Sequence, residues 1–423
     1  MNTPIHNKKI AIIGGGPGGL TLARLLQMNG ADVKVYERDL NRDVRVQGAT
    51  LDLHEESGLA ALRAAGLMDA FIANYRPGAD KMRITGKEAK ILCEDGFAGT
   101  EDKPLRPEID RGPLREILLD SLQAGTVVWN SNFVSLTRQD GSVTIEFKNG
   151  STVQADIIIA ADGANSRIRP YITPIKPFYT GLTGVEGAVY RSEQACPAIH
   201  ELLDGGKIFA LADGKTLIVA SKGDGSLVFY TTFHTGENWV KDSGINFSDK
   251  AQVFKWFKET FKGWDGIWDE LFINAEPVFI PRPMYCMPLD QTWETLPNLT
   301  MLGDAAHLMP PFAGEGVNMA MLDALQLSEA LTDPAFTDIR SAIAHYEKQM
   351  LARFAKIGQG TLYNTEWMHA PDALNDMLAM FGKNKFKQGL FMAKYFVRGS
   401  FMPFIRKVTG LGLKPDSLSE MHP

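Results

Sequence analysis

The sequence predicts an α/β protein with a Rossmann-like domain, a second domain built on a β-sheet, and a C-terminal helix that bridges the two. Three observations support this prediction. An apolar segment near the N-terminus runs into glycines and a helix, alternating β patterns fill residues 178–280, and a helical pattern extends from Ile339 to about Trp367. That helix would be about 40 Å long at 1.5 Å per residue, enough to span two domains.

The first element is an apolar strand, Lys9–Ile13, which leads into a glycine-rich turn and a helix. A second strand, Asp32–Tyr36, ends at Glu37. The order strand, GxGxxG, helix, strand and acid is the dinucleotide-binding fingerprint. Glu37 would accept a hydrogen bond from a ribose hydroxyl, and backbone amides at the helix start would approach a pyrophosphate. The residues expected to shape this turn are Gly14, Gly16, Pro17 and Gly19.

Two further motifs each follow a predicted strand. The strand Asp156–Ala161 leads into DGANSRIR, and the strand Leu299–Leu302 leads into GDAAHLMPPFAGEGVN. Ligands of open α/β sheets bind beyond the carboxyl ends of the strands, so both motifs lie where a large cofactor would bind. Asp304 would bind a sugar hydroxyl, and the glycine-rich loop opens a helix whose amides suit a negatively polarised group. His307 is expected to anchor the loop rather than act as a base.

Changes in pattern divide the chain into three regions. Residues 1–75, 100–177 and 281–335 form the discontinuous cofactor-binding domain, residues 76–99 and 178–280 the substrate domain, and residues 336–423 a C-terminal helical region. Within this division, short strands between Val127 and Gln154 predict a β-meander. A strand at Val278–Pro288 is expected to return to the first domain.

Composition excludes several classes of function. The 423-residue chain has a formal net charge of −6 and no block rich in Lys or Arg, which argues against a nucleic-acid partner. Three separated cysteines predict no metal site. No run reaches the roughly 18 apolar residues of a membrane span, and the apolar N-terminal segment is too short for a secretory signal. We therefore expect a cytoplasmic monomer.

The tail Phe386–Leu413 is apolar and locally basic, and two interpretations are open for it. It could be an amphipathic helix that contacts a membrane surface, or it could pack over one of the domains. Glycines interrupt any continuous face, which favours packing.

Together the three motifs resemble the single-component, class A FAD-dependent aromatic hydroxylases of the para-hydroxybenzoate hydroxylase type, over about residues 1–350. The segments VYERDLNRDVRVQGATLDLH, PEIDRGPLREILLDSL, GDAAHLMPPFAGEGVN and YEKQM are similar to stretches of the tetracycline-inactivating monooxygenases of the Tet(X) type. The resemblance implies FAD as the cofactor, NADPH or NADH as reductant and O2 as co-substrate. It implies hydroxylation of an aromatic or polycyclic small molecule, with a tetracycline, and hence antibiotic inactivation, among the candidates.

The resemblance also implies site residues, but no catalytic side chain, because the flavin carries the chemistry. The FAD contacts that it adds to the glycine turn and Glu37 are Arg38, Arg45, Gln47, Arg111, Asp162, Asp304, Pro311, Gly314, Gly316, Val317 and Asn318. Of these, Pro311, Gly314 and Gly316 would lie near the isoalloxazine. The expected substrate contacts are Glu186, Lys207, Phe229 and Phe312.

The chain departs from the Tet(X) pattern at several of these positions. Glu186 and Lys207 stand where those enzymes have glutamine and arginine, and Val228 stands where they have histidine. Glu315 replaces a glutamine of many relatives. A carboxylate reverses the donor capacity of an amide, so the substrate stays open. A flavin reductase on the same scaffold and a ligand-sequestering flavoprotein are the alternatives, while the lack of a WxWxIP segment argues against a halogenase.

Overall fold

The structure is a computed structural model that describes residues 3–44, 48, 50–95, 106–139 and 142–381. The predictions for Arg45, Gln47 and the tail Phe386–Leu413 lie outside these ranges. No helix within them is long and apolar enough to cross a membrane.

The described chain contains strands in four sheets. In chain order they begin with β1 (Lys9–Ile13), β2 (Asp32–Tyr36), β3 (Leu51–Asp52), β4 (Met82–Thr85), β5 (Ile91–Asp95), β6 (Glu108–Ile109), β7 (Val127–Val128), β8 (Phe133–Gln139) and β9 (Ser142–Phe147). They continue with β10 (Thr152–Ala155), β11 (Ile157–Ala160), β12 (Phe178–Val189), β13 (Lys207–Ala212), β14 (Lys215–Ser221), β15 (Leu227–His234), β16 (Ile280–Cys286) and β17 (Leu299–Met301).

The described chain also contains thirteen α-helices. They are α1 (Pro17–Met28), α2 (Gly58–Ala64), α3 (Met68–Ile72), α4 (Arg111–Asp120), α5 (Ser192–Ala195), α6 (Pro197–Leu203), α7 (Trp239–Asp242), α8 (Lys250–Thr260), α9 (Asp269–Asn274), α10 (Asp304–His307), α11 (Gly316–Thr332), α12 (Ile339–Trp367) and α13 (Ala373–Phe381).

A five-stranded parallel sheet forms the first layer, in the order β17-β11-β1-β2-β7. Its central strands are apolar on both faces, and every residue of β11 is buried, as expected for a sheet covered on both sides. The observed bounds of β1 and β2 are the predicted ones. The Rossmann-like prediction is confirmed.

One strand of the predicted meander belongs elsewhere. The three-stranded antiparallel sheet contains only β8, β9 and β10. β7 instead pairs in parallel with β2, Val127 opposite Val35 and Val128 opposite Tyr36. The prediction of one meander between Val127 and Gln154 is wrong for its first strand, because two valines carry no signal of which sheet they will join.

The second layer is a seven-stranded sheet in the order β16-β12-β15-β14-β13-β4-β5. One of its faces packs against α8 and α9 in an aromatic core that includes Phe229, Phe257 and Phe272. The strand β16, predicted to return to the first domain, pairs with β12 at the edge of this sheet. The boundary predicted at residue 281 between the substrate domain and the cofactor-binding domain is therefore misplaced. A strand that contains prolines can still pair on one side when it lies at the edge of a sheet.

The helix α12 spans both layers. Tyr346 and Met350, in its first half, are buried in the core around the parallel sheet. Trp367, its last residue, packs with Met82 and Ile84 of the seven-stranded sheet. The predicted bridging helix is confirmed, with both predicted ends.

Candidate cofactor and substrate site

Strand register brings the three sequence motifs to one edge of the parallel sheet. Ile13 lies opposite both Tyr36 and Ala160, and Ala160 lies opposite Met301. The glycine turn, Glu37, the DGANSRIR segment and the GD motif each follow one of these strand ends. Because all four strands are parallel, these segments emerge side by side at the edge where α/β proteins bind ligands.

The glycines of the turn have separate roles. A Cβ at Gly14 would lie 2.2 Å from the Ala161 carbonyl oxygen, and the φ of Gly14 is +113°. A Cβ at Gly19 would lie 2.2 Å from the Gly14 carbonyl oxygen. Gly16, by contrast, faces open space, with no described atom within 4 Å of its Cβ position. Two glycines therefore permit close packing, and the third leaves room for a ligand beside the first turn of α1.

The start of α1 suits an anion. Gly16 is the N-cap residue and supplies no side-chain cap, Pro17 occupies the first turn, and that turn carries no acidic side chain. The first amides of a helix have no partner within the helix and lie at the positive end of its dipole. A pyrophosphate bound there would satisfy them.

Glu37 is held in place at the end of β2. Its Oε2 accepts a hydrogen bond from the Gly15 amide at 2.5 Å, and its Oε1 accepts one from the Asp39 amide at 3.0 Å. The residue is 9% exposed. Arg38 follows it with an exposed side chain. The carboxylate is thus oriented by backbone donors beside the glycine turn, the location expected for a ribose contact.

The second motif has a polar atom without a partner. Asp162 Oδ2 accepts from the Arg167 amide at 2.8 Å, whereas Asp162 Oδ1 is buried and has no hydrogen-bond partner in the described part of the chain. Buried carboxylate oxygens are rarely left without a donor. The orphaned oxygen fits a cofactor that supplies one.

Arg169, which was not among the predicted site residues, links the second motif to the third through hydrogen bonds. Its Nε donates to the Ala305 carbonyl at 2.7 Å, and its Nη2 donates to the carbonyls of Asp304 at 2.8 Å and Ala164 at 3.2 Å. Burial lowers the pKa of Arg169, and the nearby carboxylates of Asp162 and Asp304 oppose that change. The only sequence signal for this role is its place at the end of DGANSRIR.

Asp304 lies at the start of α10, after a glycine with a φ of +60°. Burial raises the pKa of Asp304, and the neighbouring His307, Arg111 and Arg169 act in the opposite direction. Arg111, at the start of α4, therefore lies within electrostatic reach of the GD motif, as expected for residues that share one cofactor.

His307 makes the contacts of a loop anchor. Its Nε2 lies 2.5 Å from Asp323 Oδ2, and its ring stacks on Phe354 with the centroids 5.7 Å apart. Asp323 Oδ2 also accepts from the Gly303 amide at 2.9 Å. Although burial opposes the charge on Asp323, the neighbouring His307 and Arg353 lower the pKa of that carboxyl. His307 itself is fully buried.

The loop Pro311–Asn318 combines an exposed proline, a positive φ and an uncapped helix start. Gly314 has a φ of +65°, and no described atom lies within 4 Å of the Cβ position of Gly316. Glu315 is the N-cap residue of α11 but its side chain does not cap that helix. The amides at Gly316 and Val317 are therefore placed to meet a negatively polarised ligand.

Asn318 corrects one of the predicted cofactor contacts. Its side chain is fully buried, and its Oδ1 accepts from the His54 amide at 2.9 Å and the Gly58 amide at 3.3 Å. Its Nδ2 donates to the carbonyls of Asp52 at 2.8 Å and Gly314 at 3.2 Å. Three of these bonds tie the loop Pro311–Asn318 to the segment of β3 and α2, and the fourth lies within the loop, so the Asn318 side chain braces this cofactor loop instead of facing a cofactor.

The substrate side is one face of the seven-stranded sheet. Register places Glu186, Tyr230, Ile218 and Phe209 in one row across four strands. Tyr230, Ile218 and Phe209 are half-buried. Because side chains alternate along a strand, this row lies on the face opposite the α8–α9 core. Tyr230, Ile218 and Phe209 thus form an apolar wall with two aromatic rings, which we call the aromatic wall, and Glu186 lies at its β12 end.

Phe229 is the wrong choice among the predicted substrate contacts. It is fully buried, and its ring packs edge-on against Phe272 and Phe279 with centroids 5.0 and 6.2 Å apart. A shift of one residue moves a side chain to the other face of a sheet. The neighbouring Tyr230 therefore takes the position that the sequence interpretation assigned to Phe229.

Glu186 and Lys207 are each paired within the chain. Glu186 is 5% exposed and accepts from Arg282 Nε at 2.6 Å. Lys207 forms an ion pair with the buried Glu108. Burial raises the pKa of Glu108, and Lys207 opposes that change. The strands of Glu186 and Lys207 are three positions apart in the sheet, roughly 14 Å at about 4.8 Å per strand, so the two side chains do not form one polar cluster.

Phe312 connects the cofactor loop to the substrate face. Its ring packs edge-on against His369 with centroids 5.1 Å apart, and its carbonyl accepts from Asn364 Nδ2 at 3.0 Å. His369 Nε2 lies 2.6 Å from the Thr232 hydroxyl on β15. Burial lowers the pKa of His369 to about 4, so the ring is neutral at pH 7. The C-terminal end of α12 thus holds the loop against the sheet.

The geometry agrees with comparisons to known proteins. The sequence matches the FAD binding domain family over residues 7–184 and 297–360. The chain belongs to this family of class A FAD monooxygenases. It is 30% identical over 370 residues to the monooxygenase penA of Penicillium thymicola, covering 76% of this chain and 84% of the relative. It is 25% identical to the 3-amino-4-hydroxybenzoate 2-monooxygenase PtmB3 of Streptomyces platensis, covering 87% and 90%.

Two solved structures share the fold. HpxO of Klebsiella pneumoniae, complexed with FAD and uric acid, has a TM-score of 0.71 and 20% identity, covering 98% of this chain and all of the other. The tetracycline destructase Tet(51) has a TM-score of 0.68 and 20% identity, covering 94% and 98%. At these identities the likeness establishes the architecture. The resemblance inferred from the three motifs is confirmed.

Proposed function

We propose that this chain is a flavin monooxygenase that uses NADPH or NADH and O2 to hydroxylate an aromatic or polycyclic small molecule. The observation that carries the proposal is the loop Pro311–Asn318. Its N-terminal end continues the GD motif, and its C-terminal residues open α11. Between these ends, Phe312 contacts Asn364 and His369 at the end of α12, beside the aromatic wall. A ligand of the motifs and a ligand of the wall would therefore meet at this loop.

The residues present fit FAD. Glu37 would hold the adenosine ribose, the first amides of α1 the pyrophosphate, Asp162 Oδ1 a donor of the cofactor, and Asp304 the ribityl chain. Bound FAD supplies the redox chemistry that transfers one oxygen atom from O2. The chain's own tasks are to orient the ring system, to exclude water from it, and to stabilise negative charge on it through the uncapped amides of α11.

Two substrate classes are proposed for the aromatic wall. A tetracycline is the first, from the sequence likeness to the Tet(X)-type enzymes and the shared fold of Tet(51). The second is another aromatic or polycyclic compound, and the ion pairs of Glu186 with Arg282 and of Lys207 with Glu108 favour it. A side chain already paired in the chain must exchange that partner before it binds the polar edge of a ligand.

The test is NADPH and NADH oxidation by the purified yellow protein, with and without tetracycline, followed by mass spectrometry of the recovered compound. A gain of one oxygen atom with stimulated oxidation identifies a tetracycline hydroxylase. Stimulation by other aromatic compounds alone selects the second class. A gain of two hydrogens without O2 consumption, or a bound flavin that no compound stimulates, contradicts the monooxygenase proposal.

A variant pair tests the cofactor assignment. Asp304→Ala is expected to lose FAD during purification, because it removes the carboxylate of the GD motif. Asp242→Ala, which removes an exposed carboxylate at the end of α7, is the matched control and should retain the full yellow colour. Equal FAD content in the two variants contradicts the role of Asp304.

We also propose that the enzyme is a cytoplasmic monomer. Size-exclusion chromatography with light scattering, and fractionation of cells that express the full chain, test the two statements separately.

A further inference from the structure

A cluster of six charged side chains lies where the cofactor loop meets β3 and the start of β13. Its members come from four separated segments of the chain, and we call them the charge cluster: Asp52, His54, Arg106, Glu108, Lys207 and Glu315. None of their roles follows from the three cofactor motifs. His54 is the member that changes charge most readily near neutral pH.

His54 faces charged partners on both ring nitrogens. Its Nε2 lies 3.2 Å from Asp52 Oδ2 and 2.6 Å from Arg106 Nη2, and its Nδ1 lies 3.4 Å from Glu315 Oε2. Its side chain is 5% exposed. Arg106 also pairs with Asp52. The imidazole therefore lies between two carboxylates and one guanidinium with little access to solvent.

The remaining charges near His54 are accounted for. Behind Asp52, Glu108 pairs with Lys207. On the other side, Glu55 and Glu56 are exposed, and Glu55 bonds Arg63 at 2.6 Å. Solvent screens these exposed groups, so they act only weakly on the buried imidazole.

Charge balance makes His54 the deciding group. The cluster has three carboxylates and two permanent cations, so a protonated His54 makes it neutral and a neutral His54 leaves one uncompensated negative charge. An uncompensated buried charge is strongly unfavourable. Although burial itself opposes the imidazolium, the hydrogen bonds to Asp52 and Glu315 raise the pKa of His54 above its ordinary value.

The two protonation states of His54 use different partners. In the neutral state, Nε2 can accept from Arg106 Nη2. In the charged state, Nε2–H can donate to Asp52 Oδ2, and Arg106, whose Nη2 would otherwise face that proton, keeps its own pair with Asp52. Nδ1 faces Glu315 in both states, so the ring gains or loses one proton with a local shift of Arg106.

The charge cluster touches the cofactor loop directly. Glu315 is a residue of that loop, and a Cβ at Gly314 would lie 3.1 Å from both Arg106 Nη2 and Asp52 Oδ1. Asn318 ties the same loop to the backbone of Asp52 and His54. Negative charge that arrives on a flavin against this loop would act on the cluster over a short distance in a medium of low dielectric constant.

We propose that His54 is a positioning residue for the charge of the bound flavin: where it is neutral in the oxidised enzyme, it takes up a proton when the flavin is reduced. This rests on the proposed function. Two electrons and one proton added to FAD leave one extra negative charge on the cofactor. Water then supplies a second proton to His54 Nε2, which restores the original charge balance of the site.

The experiment measures the midpoint potential of FAD in the holoenzyme against pH, by reductive titration with reference dyes. A flavin that takes up one proton per two electrons gives a single slope. Coupling to His54 doubles that slope between the pKa of His54 in the oxidised enzyme and its higher pKa in the reduced enzyme. The wild type is expected to show this steeper segment, and His54→Gln is expected to lack it.

Glu315→Gln provides an independent test, since it removes the carboxylate that faces Nδ1. The pKa of His54 then falls in both redox states, so the steep segment moves to lower pH. His345→Gln is the matched control: this exposed histidine of α12 bonds Gln349 and should leave the profile unchanged. If His54→Gln does not fold, the Glu315→Gln shift decides the question.

A single slope in a yellow wild-type enzyme, or the same steep segment in wild type and His54→Gln, overturns the role of His54 but leaves the monooxygenase proposal standing. An unshifted segment in Glu315→Gln also overturns it. A protein that does not retain FAD overturns both proposals, and that outcome is visible as colourless protein before any potential is measured.

Discussion

Lys207→Met removes the cation that pairs with the buried carboxylate of Glu108. Lys207 is 21% exposed at its side chain and Glu108 only 4%. Removing one partner of a buried pair costs about 3–5 kcal/mol, because the other charge is left unpaired. At about 2.1 cal/mol/K of unfolding entropy per residue, 1 kcal/mol corresponds to roughly 1 °C in a chain of this size, so the expected loss is about 3–5 °C in Tm.

The loss of stability in Lys207→Met should be smaller at low pH than at high pH. Burial already raises the pKa of Glu108, and without Lys207 nothing in the pair opposes that change. A carboxyl with a raised folded-state pKa contributes stability that is present at low pH and is lost as the pH rises through that pKa. The deficit of Lys207→Met is therefore expected to be smaller at pH 5 than at pH 8. Thermal unfolding followed by circular dichroism at both pH values measures it.

Two controls separate this explanation from others. The exposed pair of Lys81 with Asp204, at 3.2 Å, is about half solvent-accessible on both sides, so Lys81→Met should cost much less stability than Lys207→Met. Adding Glu108→Gln to Lys207→Met should restore most of the lost stability at pH 8. Equal losses in the two lysine variants, or no recovery in the double variant, would refute the buried-pair reasoning. Activity that stays low in a stable double variant would instead assign Lys207 to substrate binding.

Three further predictions test the site. Phe229→Ala should cost about 3–5 kcal/mol of stability with little change in KM, whereas Tyr230→Ala should raise KM with a smaller loss of Tm. Steady-state kinetics and calorimetry measure the two effects, and the opposite pattern would contradict the faces of β15 assigned to these two residues. Burial lowers the pKa of His369 to about 4, so protonating this residue lowers the unfolding free energy of the wild type by up to about 3 kcal/mol as the pH falls from about 6.5 toward 4. Urea unfolding at pH 7 and pH 5 should show a smaller decrease of that free energy in His369→Gln. Equal decreases in the two proteins would contradict the role of His369. Arg169→Met leaves three carbonyls without their charged donor, so we expect a loss of roughly 2–4 kcal/mol in unfolding free energy. We also expect weaker FAD retention, measured as the flavin-to-protein absorbance ratio. An unchanged ratio would show that the hydrogen bonds of Arg169 do not support the cofactor site.

The cofactor half of the site is largely predictable from the sequence. The fingerprint, the DG segment and the GD motif are local patterns, and each depends on a strand end followed by residues close in the chain. Their convergence follows from parallel pairing, which brings Gly14, Glu37, Asp162 and Asp304 to one edge. Asn318 is the exception, because its three hydrogen bonds to the distant backbone of Asp52, His54 and Gly58 leave no trace in the spacing of the motif.

The substrate half is not predictable to the same degree. Alternation with a period of two shows that β15 has two faces, but Phe229 and Tyr230 are both aromatic, so the pattern does not say which one lies in the core. The helices α8 and α9 decide this by covering the face of Phe229. Similarly, β7 and β16 are short or proline-containing strands whose sheet membership depends on which distant strand offers a free edge.

The sequence by itself determined the α/β class, the bounds of β1, β2 and α12, and the place of the cofactor motifs, because each depends on residues near one another along the chain. Only the tertiary structure decided which charges are already paired. Lys207 and Glu108 are 99 positions apart, and Arg106 and His54 are 52 apart. Such pairs form where separate layers meet, and their protonation depends on the shared burial of groups that no local spacing connects.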